Sequence, residues 1–201
     1  MPVRSTFDRQ YYARFYGGVR PRRSYFRDEA HLGAFVSAYL DYLGQPVRNV
    51  VDIGCGFGQW REILAGHYPK SRYTGVERSD YLCERFGWTQ GSAVDFRSRS
   101  RFDLVICKDT LQYLARADCE AAIANLARLS RGALYVSVLS SEDWEQVADR
   151  DRTDRAVHLR PAAWYRRRLA AHFRNLGGGL WLSPRSPALP WALEALPARS
   201  A

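Results

Sequence analysis

The sequence is poor in several features that would mark particular kinds of protein. It holds two lysines, Lys70 and Lys108, so 28 of its 30 basic residues are arginine, and its one methionine is Met1. Its four cysteines, Cys55, Cys83, Cys107 and Cys119, form no Cys-x-x-Cys pair and no disulfide-like rhythm, so reduced thiols are expected. No apolar run approaches the ~20 residues that a membrane span requires. The first ten residues, MPVRSTFDRQ, carry charge where an export signal is apolar, so the expected location is the cytoplasm. No set of His, Asp and Glu has metal-ligand spacing, and no metal site is expected.

What is present fits an ordinary soluble fold. Of 201 residues, 46% are apolar and 25% charged, near the globular average. That length suits one domain hiding on the order of 70% of its unfolded surface. The net charge of +9 raises the question of a nucleic-acid partner. The arginines are dispersed among acids, however. Their excess over lysine follows from codon usage in a GC-rich genome as readily as from selection for a phosphate-binding surface.

The middle of the chain alternates short apolar runs with amphipathic stretches, the pattern of βαβ units around a parallel sheet. Strands are predicted at 49–53, 73–77, 92–96, 102–107 and 133–139. Helices are predicted at 59–67, 80–86 (closed by Gly87), 117–129 and 162–173. The run 102–107 is almost continuously apolar, as a strand covered on both faces should be. Gly177, Gly178 and Gly179 between two apolar pieces predict a closing hairpin within 173–183. Residues 1–45 read as an aromatic-rich helical cap joined by GGVRPRRS. Residues 46–183 read as the core and 184–201 as a Pro/Ala-rich tail, all within one domain.

The most informative stretch is VVDIGCGFGQW, residues 50–60. Gly54, Gly56 and Gly58 lie directly between a strand and a helix, where glycine permits a tight turn and close approach of a ligand to the backbone. Glu77 ends the next strand, 77 − 58 = 19 residues beyond the last glycine. That is close to the ~20 at which a carboxylate meets a ribose in a nucleotide fold. An acid there also suits the start of a helix. Asp52 stands two residues before the first glycine, where it would repel a pyrophosphate. It suits a ligand with positive charge and no phosphate, and tips the reading from NAD toward S-adenosylmethionine, which carries an ammonium and a sulfonium.

With these residues in place the sequence resembles the class I S-adenosylmethionine-dependent methyltransferases. VDIGCGFG (51–58), YTGVERSD (73–80), GSAVDF (91–96) and FDLVICKDTLQYL (102–114) resemble the family's four motifs in order and spacing. The resemblance implies a three-layer α/β, Rossmann-like fold with a mostly parallel seven-stranded sheet and an antiparallel last strand. It implies S-adenosyl-L-methionine as cofactor. Asp52, Gly54, Cys55, Gly56 and Gly58 would face its methionine part, Glu77 with Arg78 beside it the ribose, and Asp95 with the backbone of Phe96 the adenine edge. Lys108 and Asp109 would lie beside the reactive methyl.

For the chemistry, His158 is the candidate base, because it follows the fifth strand and titrates near neutral pH. Asp109 is the second candidate catalytic residue. Tyr11, Tyr12, Phe15 and Tyr16 could form a lid over the cofactor, or serve as ordinary helix packing. Lys108-Asp109-Thr110 stands where amide-methylating members carry Asn/Asp-Pro-Pro-Tyr/Phe, which disfavours that subclass. The favoured acceptor is a small molecule methylated at oxygen, nitrogen or carbon. An RNA acceptor is the alternative, resting on the arginines from Arg150 to Arg174. Arg166, Arg167 and Arg168 cannot share one helix face, which weakens it. A degenerate fold used for protein contacts is the third reading, opposed by the intact Asp52, glycines, Glu77 and Asp95.

Overall fold

The computed structural model describes residues 7–16, 23–150 and 153–196. The linker glycines 17–18 and the last residues of the tail lie outside them. In chain order the elements are α1 (Arg9–Tyr16), α2 (Arg23–Tyr42), β1 (Asn49–Ile53), α3 (Gln59–His67), β2 (Arg72–Glu77), α4 (Asp80–Phe86), β3 (Thr89–Gln90) and β4 (Phe102–Lys108). They continue as α5 (Arg116–Leu129), β5 (Ser130–Ser137), α6 (Ser141–Gln146), α7 (Ala162–Ala170), β6 (Arg174–Gly177) and β7 (Leu180–Leu182).

The seven strands form one sheet in the order β3-β2-β1-β4-β5-β7-β6. β1 through β5 pair in parallel, and the last strand, β7, runs antiparallel to both β5 and β6. Helices cover both faces. Alternation along β4 explains its unbroken apolar run: Leu104 and Ile106 pack into the cluster shared with Val36 and Leu40 of α2 and with Trp60 and Leu64 of α3. Val105 and Cys107 pack into the opposite cluster with Ile123 and Leu126 of α5 and Leu169 of α7. A central strand with both faces buried has no polar side to show.

Local chemistry sets the boundaries near the site. Gly58, at φ 78°, begins α3 in the left-handed region that an L side chain avoids. Ser79 caps α4 by accepting from the Leu82 amide at 3.3 Å, and Gly87 at φ 70° ends it, as predicted. The strand predicted at 92–96 is a correction. The third strand is the two-residue β3 further upstream, and 92–96 is a turn. Asp95 Oδ1 accepts from the Ser92 amide at 2.7 Å and the Phe96 amide donates to Ser92 O at 3.0 Å. These local bonds compete with sheet pairing, although Val94 and Phe96 still pack on the core. The helix predicted at 162–173 stops at Ala170, and the glycine hairpin forms as β6 and β7. Of the Pro/Ala tail, the described part has no helix or strand. It is tied down where Ala188 is buried and where the Leu196 amide donates to Asn175 O at 2.9 Å.

Candidate functional site

A cavity of about 990 Å³, its open mouth included, lies beyond the carboxyl ends of β1, β2 and β4. Its floor is the glycine turn. Gly54, Gly56 and Gly58 have φ of 76°, 54° and 78°, so each needs glycine's freedom. The three glycines face different neighbours. A Cβ on Gly54 would stand 2.2 Å from Thr110 Oγ1, and one on Gly58 2.5 Å from the Trp88 ring, whereas one on Gly56 would meet nothing within 4 Å. Gly54 and Gly58 are therefore packed by protein, and Gly56 is open to a ligand. Gly54 and Gly56 line the cavity with Cys55; Gly58 lies behind, under Trp88.

Glu77 binds this turn to the next one. Its Oε2 accepts from the Gly56 amide at 2.9 Å, while Oε1 accepts from the amides of Arg78 at 2.8 Å and Ser79 at 3.0 Å. The carboxylate thus does both things that the sequence offered as alternatives: it enters the start of α4 and it faces the cavity. Asp52 is fully buried and accepts from the Tyr73 hydroxyl at 2.5 Å. Burial pushes its carboxyl up to about 7; the Tyr73 bond opposes the shift, the charges of Glu77 and Glu29 add to it, and Lys108 offsets it.

At the end of β4, Lys108 forms an ion pair with Glu29 of α2 at 2.8 Å and a second with Asp109. Asp109 has φ 52°, the one positive value outside glycine among the described residues, and its amide donates to Ser137 O at 2.9 Å. Left-handed backbone of this kind is tolerated best by Asp and Asn. Four acids (Glu29, Asp52, Glu77, Asp109) and two bases (Arg78, Lys108) line the cavity.

Phe7 and three rings of α1, Tyr11, Tyr12 and Tyr16, form the opposite wall. Tyr12 meets Phe57 edge-on at 5.3 Å, and Phe7 meets Tyr113 edge-on at 5.2 Å. The hydroxyls of Tyr11 and Tyr113 lie 2.9 Å apart, and Ser79 Oγ donates to Phe7 O at 2.5 Å. Burial raises the phenol of Tyr113 to about 12 and the thiol of Cys55 well above its ordinary range, so both stay protonated near neutrality.

Of the residues singled out in the sequence, the structure brings together Asp52, Gly54, Cys55, Gly56, Glu77, Arg78, Lys108 and Asp109 around this cavity. Asp95 and Phe96 are not among its lining residues; Gly91, Ser92 and Ala93 of the same turn are. His158 is exposed and outside the lining set, and its backbone amide donates to Gln112 O at 2.7 Å. Glu29 and Trp88 were missed. Neither carries a motif signal, because one arrives from a helix upstream of β1 and the other from the turn after α4.

Residues 50–132 match the family model of a methyltransferase domain. The chain is 29% identical over 93 residues to nodulation protein S of Rhizobium tropici, covering 42% of this chain and 39% of that protein. It is 26% identical over 121 residues to the malonyl-[acyl-carrier protein] O-methyltransferase of Anoxybacillus flavithermus, covering 55% and 46%. The chain therefore matches less than half the length of either relative. Among solved structures it resembles the magnesium protoporphyrin IX methyltransferase of Synechocystis, with TM-score 0.52 and 19% identity over 71% of this chain and 72% of that one. It also resembles the plantazolicin methyltransferase BpumL, with TM-score 0.52 and 17% identity over 65% and 56%. Those two likenesses are of fold. Residues 50–132 thus match a methyltransferase domain, and the resemblance read from the four motifs is borne out, together with the mostly parallel seven-stranded sheet and antiparallel last strand that it implied.

Proposed function

We propose that the protein is a methyltransferase that binds S-adenosyl-L-methionine in the cavity above the glycine turn and transfers its methyl group to a small-molecule acceptor. One observation carries the reading: an open, left-handed Gly56, within the stretch that matches a methyltransferase domain, beneath a cavity whose lining holds four acids and two bases. Such a lining suits a ligand with an ammonium and a sulfonium and opposes a pyrophosphate. The solved neighbours include methyltransferases crystallised with S-adenosylhomocysteine, which supports the same cofactor here.

The residues present fit that group. Glu77 has about four acceptor positions, and three already serve backbone amides, so one direction on Oε2 serves a ribose hydroxyl. Gly91, Ser92 and Ala93 line the cavity in the turn that also contains Asp95 and Phe96, and would hold the adenine in their place. Lys108 and Asp52 serve the methionine end. When bound, the cofactor supplies an electrophilic methyl on sulfur. The protein's work is then to align the acceptor and exclude water, for which the Tyr11, Tyr12 and Tyr16 wall is suited. Asp109, a lining residue, is our candidate for taking a proton from the acceptor. His158, the other candidate base, lies outside the lining.

We read the chain as one domain in which α1 and α2 cap the core. A small acceptor is supported over RNA by where the arginines go. Arg160 is buried and donates to Leu114 O and the Tyr165 hydroxyl, and Arg168 stacks on Trp164 and pairs with Glu120. Calorimetric titration with S-adenosylhomocysteine, with NAD as control, tests the cofactor. Binding of the first alone is the expected result; binding of neither would remove the main support of the reading.

A further inference from the structure

Glu29 is unexpected at this site. It precedes β1 by twenty residues and reaches the cavity because α2 lies very close to α3. A Cβ on Gly33 would stand 2.2 Å from Ile63 Cγ2, so the approach of the two helices depends on a glycine one turn beyond Glu29. The Glu29 side chain is 5% exposed and that of its partner Lys108 16%. A sequestered ion pair is weak as a source of stability, because desolvation cancels most of the attraction. Here the pair lies in a cavity wall, with both charged groups among the lining residues.

We propose that Glu29 and Lys108 together form the receptor for the α-amino-acid end of the cofactor, with the Glu29 carboxylate accepting from its ammonium and the Lys108 ammonium donating to its carboxylate. This rests on the cofactor reading above. An adjacent acid and base on one wall is the electrostatic complement of a zwitterion, and the exchange of partners leaves no charge uncompensated.

The sheet order supplies the placement. Strands run β3-β2-β1-β4 along the sheet edge, so Glu77 ends β2, the glycine turn follows β1 and Lys108 ends β4. Neighbouring strands are about 4.8 Å apart, so the β2 and β4 ends are separated by about 10 Å. A ribose at Glu77 therefore sends its sulfur-linked chain across the glycine turn toward Lys108. Asp109, the second partner of Lys108, keeps that lysine charged-paired when Glu29 turns to the ligand.

The test uses isothermal titration at pH 7.5 with four ligands: S-adenosylhomocysteine, its deaminated analogue, its decarboxylated analogue, and 5′-methylthioadenosine, which lacks the whole amino-acid end. With the wild-type protein, loss of either charged group should weaken binding at least tenfold. In Glu29→Gln the penalty for removing the ammonium should fall below threefold, and in Lys108→Met the penalty for removing the carboxylate should do the same. Binding of 5′-methylthioadenosine should stay within threefold in both variants, a readout that general damage to the fold would not spare. Analogues that bind wild type within twofold of S-adenosylhomocysteine would overturn the proposal, as would penalties that persist in folded variants. The wild-type series decides by itself if a variant fails to fold. Failure of wild type to bind either S-adenosylhomocysteine or 5′-methylthioadenosine is a different result, and overturns the cofactor reading instead.

Discussion

The indole of Trp88 donates to the carbonyl of Gly56 at 2.9 Å, so the most open glycine of the turn is held by the residue that also packs its neighbour Gly58. On its other side the Gly56 amide donates to Glu77. The turn is therefore fixed in shape before any ligand arrives. Trp88→Ala should destabilise the protein by about 2 kcal/mol, less than a fully buried tryptophan because Trp88 is only partly buried. It should also weaken S-adenosylhomocysteine binding about tenfold; urea unfolding and calorimetry measure the two effects.

The glycines should separate under substitution. Gly54→Ala carries both left-handed strain and a 2.2 Å approach to Thr110 Oγ1, so it should cost more than about 2 kcal/mol in unfolding free energy. Gly56→Ala meets nothing within 4 Å and should cost about 1 kcal/mol of strain. Yet its methyl projects where the ligand belongs, so S-adenosylhomocysteine should no longer raise the melting temperature of Gly56→Ala. Thermal melts with and without the ligand distinguish a folding defect from a binding defect.

Asp52 predicts a pH dependence of definite sign. Its carboxyl titrates at about 7 in the folded protein, chiefly through burial, against 3.8 ordinarily. Between those values the folded state binds the extra proton, so this group makes stability fall as pH rises. Asp52→Asn should flatten that slope in denaturant titrations from pH 4.5 to 7.5. A cationic ligand favours the ionised carboxyl, so S-adenosylmethionine should bind more tightly at pH 7.5 than at pH 6 in wild type, and equally at both in Asp52→Asn. The groups facing Asp52, namely Tyr73, Glu77, Glu29 and Lys108, are unchanged by the substitution.

Asp103 behaves in the opposite way, at the far end of β4. Burial raises its carboxyl, but Arg131 at 2.7 Å and the amides of Asn49 and Arg48 at 2.9 Å outweigh burial and hold it below its ordinary value. A depressed carboxyl contributes stability that is complete above its unfolded value near 3.9 and is lost as pH falls through the folded one. Asp103→Ala leaves two backbone amides without their acceptor and should cost about 2–3 kcal/mol at pH 7. S-adenosylhomocysteine affinity should be unaltered, because the cavity lies at the other ends of the strands.

How much of this was legible in the sequence depended on whether a residue's neighbours in space were also its neighbours in the chain. The glycine turn, Glu77 and Lys108 sit at strand ends, where alternation and spacing announce them, and they line one cavity as expected. The end of α4 was readable because Gly87 acts on adjacent backbone. The turn at 92–96 was not: Ala93, Val94 and Phe96 are apolar enough to read as a strand, and the Ser92–Asp95 bond that diverts them leaves no periodic trace. Glu29 was invisible for another reason. Its place depends on how closely Gly33 lets α2 approach α3, and that is a matter of packing between elements.

The composition as a whole carries a net charge of +9, while four acids face two bases around the cavity. The lining is thus opposite in sign to the chain as a whole. A polyanion would find the mouth repellent, whereas a cation that reaches it would be drawn in. Selection between the two would happen at the threshold, through the sign of charge, before any shape is compared.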